Sequence, residues 1–531
     1  MQTGTSGPMP LAGSVPASRG PGGMMVGVVN RIRSTRRAWR AFSAVVAAAA
    51  TAATALAQPL QGKLDRLASE SRVANCRIGV VVLDAADGRV LASRRADEQF
   101  IPASNMKLLT SGCALSVLGP DHTFETQLLF QPDPGSSGSG RLVVRGSGDP
   151  AFGDPVLLEA MGMSVDEFVG VWVKATTDAR IRSITELVVD DRAFDRQAVH
   201  PTWPTGQLNN WYCAEVSGLT FHTNVIHLFA RPAGNGATPV VSMEPRAPWI
   251  TIRNRARTVT NGKPTVGADW VAPNAEITIR GDVRYASEPV RLAIRGPAEF
   301  FGRLLADRLA GAGLKPGAVR LPDESEDLYA GREQRVVHVV QTRMSTVLER
   351  CNVNSHNLYA ECLLKAIGAR VTGQPGSWGN GDAVMRRIML ERLGADAGAG
   401  IVVADGSGMS RENRVTPALL ARWLHGFLQD DALSGAFLES LPSAGEEGTL
   451  EKRFRARRPR NEVRAKSGYI SGVSALSGYV LSSSGERGAI FCIITNDRPN
   501  SVPLSSVRTF EENVVLMVDE WVASQATAGA R

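Results

Sequence analysis

Three short runs carry side chains whose types and spacing suit one kind of chemistry. Ser104-Asn105-Met106-Lys107 sets a hydroxyl and an amine three residues apart. On a helix, positions three apart share a face, so the amine can reach the hydroxyl oxygen. A serine hydroxyl is a poor nucleophile at its ordinary pKa and needs an adjacent base. A lysine is that base only if burial or a nearby cation lowers its pKa. Lys466, in Lys466-Ser467-Gly468, can supply the second positive charge. Ser355-His356-Asn357 offers a hydroxyl and an amide two residues apart. That spacing leaves one helical face and suits a loop or helix entry whose two side chains meet one cleft. Taken alone, Ser104 and Lys107 also fit a capping serine and a surface lysine. A Ser-His-Asp triad would need His356 beside Ser104 with an acid behind it, which nothing in the sequence requires.

The elements that must position these groups can be read from periodicity. A helix near 59 to 74 precedes the apolar, β-branched run Ile78 to Leu83. Ala85 to Gly88 offers a turn, and Arg89 to Ser93 a returning strand. Beyond Pro102, the residues Met106, Leu108, Leu109, Cys113 and Leu115 recur at helical spacing, which puts Ser104 near a helix N-terminus. The dipole there favours negative charge developing on the serine oxygen. From 120 to 335 the pattern changes to short strands, including Phe124 to Phe130, Arg141 to Val144, Val225 to Ala230 and Glu276 to Ile279. Helical stretches at about 155 to 180 and from Pro297 to Ala310 interrupt them. Helices return at Thr342 to Arg350, Asn357 to Ile367, Asp382 to Leu393 and Pro417 to Leu428. Three strand-like runs, one of them carrying Lys466, and a helix at about 506 to 524 close the chain. Two opening strands, a helical middle and three closing strands predict a multi-domain α/β fold whose sheet uses both chain ends.

Bulk properties exclude several classes. With 531 residues, 43% hydrophobic and 21% charged, the chain is long enough for two or three domains and is not a disordered polymer. The net charge of +7 invites a nucleic-acid reading, but residues 1 to 57 hold six arginines and no acid, and 7 less 6 leaves +1 for the rest. No nucleic-acid partner is therefore expected. In the same segment, Arg-rich sequence precedes the uncharged run 41 to 57, which ends in the small-x-small triplet Ala55-Leu56-Ala57. That is the order of a secretory signal peptide, with an extended start, and it predicts export to the periplasm or cell envelope. Membrane association is compatible with this leader but is not required. The six cysteines are widely spaced with no CxxC, which gives a zinc motif little support and predicts buried free thiols.

The chain resembles the insert-bearing, S13-type penicillin-binding proteins, a class C low-molecular-mass family of D-alanyl-D-alanine carboxypeptidases and endopeptidases. Their signature is SxxK, SxN and KTG in that order, matched here by Ser104 to Lys107, Ser355 to Asn357 and Lys466 to Gly468. The resemblance runs from about 65 to 520. It includes Gly148-Asp149-Pro150, the stretch from Asp190-Asp191 through Trp203-Pro204, Ala404 to Ser410, Leu441-Pro442, Gly448-Thr449-Leu450 and Lys466 through Tyr479. Two positions depart from the pattern: Ser467 replaces the threonine of KTG, and Tyr469 stands where the family has a small hydroxyl residue.

The resemblance implies a penicillin-binding-protein/β-lactamase-like transpeptidase domain made of residues 58 to 120 and 336 to 525. Residues 121 to 335 would be a strand-rich insert of two nested parts, the smaller at about 148 to 188. It implies acyl transfer on peptidoglycan stem peptides. Ser104 attacks the carbonyl of the penultimate D-alanine, Lys107 takes its proton, and Ser355 returns a proton to the leaving group. Asn357 holds the substrate amide and the lysine, and Lys466 with Ser467 meets the terminal carboxylate. Gly468 lets the substrate approach the strand, and the Tyr469 backbone N–H pairs with that of Ser104 as an oxyanion hole. No metal or organic cofactor is implied, and β-lactams are expected as covalent inhibitors. The competing readings are an SxxK esterase or β-lactamase-like hydrolase, and a cell-wall-binding protein that has lost catalysis.

Overall fold

The run Ile78–Leu83 lies in a strand, Arg77–Asp84, whose residues alternate between two hydrophobic clusters. Val80 and Val82 belong to one, Val81 and Leu83 to the other. A strand buried on both faces must lie inside a sheet that is covered on both sides. The computed structural model, which describes residues 60–69, 72–273, 275–395, 401–482 and 488–529, shows that sheet. Its five antiparallel strands run in the order Glu462–Ile470, Val473–Leu481, Gly488–Asn496, Arg77–Asp84 and Val90–Arg94. The chain ends therefore meet in the middle of one sheet, with Arg77 opposite Asn496. The predicted leader, residues 1–57, lies outside the described residues.

The closing helix Leu504–Gly529 and the opening helix at 60–69 cover one face of this sheet, burying Val507, Val514, Val518, Leu60 and Leu64. The opening helix stops well short of 74, since residues 72–75 form a turn. The other face carries the helices Met106–Leu118, Asn357–Thr372, Trp378–Leu393 and Pro417–Leu428. Met106–Leu118 is buried at ten consecutive positions, Met106 to Leu115, so it is a central helix rather than an amphipathic surface one. Among the described residues no helix is long and apolar enough to cross a membrane.

The insert is built on a second five-stranded sheet, ordered Val319–Arg320, Ser183–Asp190, Ser139–Arg145, Thr123–Pro132 and Arg335–Arg343. Its last strand pairs along Thr123–Phe130, so the insert's sheet continues to Arg343, past the boundary expected at 336. Residues 148–188, expected as the smaller nested part, do not pack apart. Leu158, Phe168, Trp172 and Leu187 share one core with Leu128, Phe130 and Phe301 from elsewhere in the insert. The smaller nested part is instead at 225–293, where six strands form two three-stranded sheets with their own small clusters. The helical stretch expected at 155–180 is two helices, Pro155–Ala160 and Val165–Asp178. Gly162 turns the chain at φ +67°, and Ser164 with Glu167 closes a capping box on the second helix. All six cysteines are buried and unpaired.

Candidate active site

Ser104 lies in a single 3-10 turn, Ala103–Asn105, that runs straight into the helix Met106–Leu118. Lys107 follows one turn later, and its amine donates to Ser104 Oγ at 3.1 Å. The same amine donates to Asn357 Oδ1 at 2.7 Å and to the Ser407 carbonyl at 2.8 Å. Three acceptors thus hold one fully buried amine against the serine. Burial pushes the Lys107 pKa down to about 8, against the pull of Cys351, Glu361 and Asp405. The surface-lysine reading is excluded by this burial.

Asn357 is the first residue of the helix Asn357–Thr372, and its amide nitrogen donates to the Tyr212 carbonyl at 2.9 Å. With one end held by the insert, its oxygen faces Lys107. Ser355 precedes it in the left-handed region at φ +57°, a conformation that costs a residue with a Cβ about 1–2 kcal/mol. That turn brings Ser355 Oγ to the amine of Lys466 at 2.8 Å. His356 caps the helix between them and packs against the rings of Trp211 and Tyr359, 5.5 and 5.1 Å away between centroids. Burial, followed by the charge of Arg350, lowers its pKa to about 3, so it stays neutral. It is a packed histidine, and the triad reading has no support from it.

Lys466, Ser467, Gly468 and Tyr469 lie on Glu462–Ile470, the edge strand of the first sheet. Gly468 faces the serine turn: a Cβ added there would lie 3.0 Å from the Ser104 nitrogen and 3.1 Å from the Pro102 carbonyl. A side chain there would force one of the two backbones to give way by a few tenths of an ångström. Ser467 is half-buried, and Tyr469 is 48% exposed, so its ring stands in solvent at the strand end. Lys466 is the second amine to which the sequence pointed. It is as deeply buried as Lys107, donates only to Ser355 Oγ and the Ser467 carbonyl, and has no carboxylate partner among the described residues. Burial, and then the charge of Lys107, holds its pKa well below the ordinary lysine value. Two buried amines in one site repel each other's proton.

Sequence reading missed the groups that aim Lys107. The Ser407 carbonyl belongs to the loop Asp405–Ser410, which two buried carboxylates hold by its backbone. Glu361 accepts from the N–H groups of Gly406 and Ser407 at 3.0 and 2.8 Å, and from Trp378 Nε1 at 2.8 Å. Asp405 accepts from Gly408 N, Ser410 N, Asn413 Nδ2 and Trp203 Nε1 at 2.6–2.8 Å. Burial, and then the proximity of Asp405, raises the Glu361 pKa to about 7. Glu361 sits inside an otherwise apolar helical run, Leu358 to Leu364, and that was the one available signal. The insert contributes directly to this region, since Phe194, Trp203, Cys213 and Val216 pack into the same core as the helices.

The model of the D-Ala-D-Ala carboxypeptidase 3 (S13) family matches residues 60–514. A D-alanyl-D-alanine carboxypeptidase of Actinomadura sp. (strain R39) is 32% identical over 489 residues, covering 89% of this chain and 86% of that protein. Penicillin-sensitive carboxypeptidase A of Dictyostelium discoideum is 23% identical over 457 residues, covering 80% and 83%. Among solved structures, penicillin binding protein 4 from Haemophilus influenzae shares the fold, with a TM-score of 0.70 and 20% identity over 85% of this chain and 98% of that one. With the α/β sheet, the strand-rich insert and the three motifs gathered at one cleft, the chain belongs to the S13 family of penicillin-binding D-Ala-D-Ala carboxypeptidases, serine hydrolases of peptidoglycan.

Proposed function

We propose that this chain is a serine-type carboxypeptidase that removes the terminal D-alanine of peptidoglycan stem peptides through an acyl-enzyme on Ser104; the same acyl transfer on a D-alanyl cross-link would be endopeptidase action. The observation that carries the reading is the Lys107 amine, buried and 3.1 Å from Ser104 Oγ, with Asn357 and Ser407 fixing its direction. Lys107, as the neutral amine, accepts the serine proton while Oγ attacks the carbonyl of the penultimate D-alanine. The oxyanion rests on the backbone N–H groups of Ser104 and Tyr469, a role supported by the close packing of Gly468 on the serine turn. The terminal carboxylate meets Lys466 and Ser467. Its arrival gives Lys466 the anionic partner it lacks, which favours the charged amine there. A charged Lys466 then disfavours a second proton on Lys107, so substrate binding itself poises the base. Ser355, hydrogen-bonded to Lys466 at 2.8 Å, passes a proton to the leaving D-alanine. Water releases the acyl group, and β-lactams stop at that stage.

We also propose export to the cell envelope, on the Arg-rich and then apolar order of residues 19–57. The test is intact mass after incubation with penicillin, followed by peptide mapping and by assay of D-alanine release from a pentapeptide. One penicillin on the peptide holding Ser104, with release lost in Ser104→Ala, is the expected result. A wall-binding protein without catalysis would give neither label nor release. A β-lactamase would turn penicillin over, and an esterase would hydrolyse a simple ester, each without releasing D-alanine.

A further inference from the structure

Away from the serine cleft, the nested strands hold three groups whose placement the acylation reading does not use. His222 opens a short left-handed turn in which His222, Thr223 and Asn224 have φ of +54°, +52° and +56°. Three consecutive residues with side chains in this region are costly, and something must hold them there. Asn224 does part of that, accepting from Phe221 N at 2.9 Å and donating to the Glu215 carbonyl at 2.7 Å. His222 does the rest, through Nδ1 at 2.6 Å from the Val225 carbonyl. A carbonyl can only accept, so Nδ1 carries a proton, and Nε2 is the nitrogen left to meet a ligand. His222 is fully buried, and its Nε2 makes no hydrogen bond to a described residue.

That nitrogen faces two more ligand-type groups. His227 and Glu244 are cross-strand partners in the pair Val225–Arg231 and Val240–Glu244, so their side chains share a face. The His222 and His227 rings are 4.8 Å apart between centroids, and Glu244 Oε1 is 3.5 Å from His222 Nε2. One donor atom from each of the three residues lies within 4.8 Å of the others. A separation of 3.5 Å is long for a charge-assisted hydrogen bond. It matches two ligands of one tetrahedral ion, whose bonds of about 2.0–2.1 Å set ligand atoms about 3.3 Å apart.

We propose that His222, His227 and Glu244 form a divalent metal site of the zinc class. Two imidazoles and one carboxylate suit zinc and disfavour calcium or magnesium, which take oxygen ligands. The Nδ1–H bond from His222 to a backbone carbonyl is the outer-shell contact that fixes a histidine ligand's tautomer and direction. Three protein ligands leave a fourth position. His227 and Thr223 also line a cavity of about 220 Å³ shared with Asp154, Arg291, Arg350 and His356, and that cavity supplies water or an anionic group to the ion. The ligands sit at 222, 227 and 244, a spacing that no zinc motif predicts, because the strand pair and not the local sequence unites them. The site is independent of the acylation reading and stands or falls separately from it.

The test is calorimetric titration of the chelator-stripped full chain with zinc chloride, with cobalt(II) as a spectroscopic substitute. The expected result is one zinc per chain, and cobalt bands of a four-coordinate nitrogen and oxygen set without thiolate charge transfer. His227→Ala and Glu244→Gln should each weaken binding by about 10- to 100-fold or more. Both residues are only partly buried, so both variants are expected to fold, checked by circular dichroism and by retained penicillin acylation. No binding at micromolar zinc, cobalt bound through thiolate, or zinc held equally well by both folded variants would each overturn the site and reduce the trio to an ion pair.

Discussion

The amine of Lys107 is held by three acceptors and no carboxylate, and that arrangement has a measurable pH signature. Acylation needs the neutral amine, whose pKa is about 8, so the second-order rate with labelled penicillin should climb with pH and reach half its plateau near pH 8. A rate that is flat between about pH 6 and pH 9 would remove Lys107 as the base. Stability carries the same signature. Below pH 8 the lysine is protonated in the folded and unfolded states alike, and the folded state bears the full cost of a buried charge. Between pH 8 and the ordinary value of 10.5 only the unfolded state gains the proton, so stability rises with pH across that window. Thermal melts should therefore show wild type gaining on Lys107→Met as pH rises from 8 toward 10.5. Tyr469 poses a different question, because its ring is 48% exposed. Tyr469→Thr should change stability by no more than about 0.5 kcal/mol and shift KM for pentapeptides more than kcat. A large stability loss would mean that the ring packs. Ser104, Lys107, Ser355, Asn357, Lys466, Ser467, Gly468 and Tyr469 were all legible as candidates, because each lies in a run of three or four residues. The protonation behaviour of Lys466 was not, since burial is a property of the folded surroundings.

At the scale of elements, the loop Asp405–Ser410 decides where Lys107 points. Gly408 sits at φ +82° with its α-carbon pressed against the serine turn, and an added Cβ would fall 1.8 Å from the Ala103 carbonyl. Gly408→Ala must displace that turn. It should cost about 2 kcal/mol or more in chemical denaturation and slow penicillin acylation by at least about tenfold. An unchanged acylation rate would show that the loop does not set the serine's position. The sequence showed a tight loop here and no more. Its glycines and the bonds from Asp405 to Gly408 and Ser410 are local, but the contacts from Glu361 and Trp203 that brace it from outside span 45 to 202 residues. Helix and strand identity was easier to read, since the apolar period is local. Where it went astray, as at 155–180, a glycine turn and a new capping box interrupted a periodic stretch.

Over the whole molecule, the insert is tied to the serine cleft by a buried ion pair. Arg350 donates to both oxygens of Asp154 at 2.8–3.2 Å, and Tyr359 adds a third donor. Burial alone would raise the Asp154 pKa, but the charge of Arg350 and these hydrogen bonds outweigh it and hold it below the ordinary value. Asp154→Asn leaves the Arg350 charge buried without its partner and should cost about 3–5 kcal/mol. It should also slow acylation, because Arg350 sits at the end of the helix that leads into Ser355. A variant as stable as wild type would mean that water reaches Arg350.

The sequence by itself singled out the groups proposed to attack, take a proton and hold a carboxylate, and the elements that carry them, because motif spacing and apolar period act over a few residues. It also determined that the first sheet is shared by both chain ends. Tertiary structure alone decided that both lysines are buried, that Glu361 braces the loop facing Lys107, that the smaller nested part lies at 225–293, and that His222, His227 and Glu244 converge. Desolvation and convergence depend on which distant segments come together, and no local pattern encodes that.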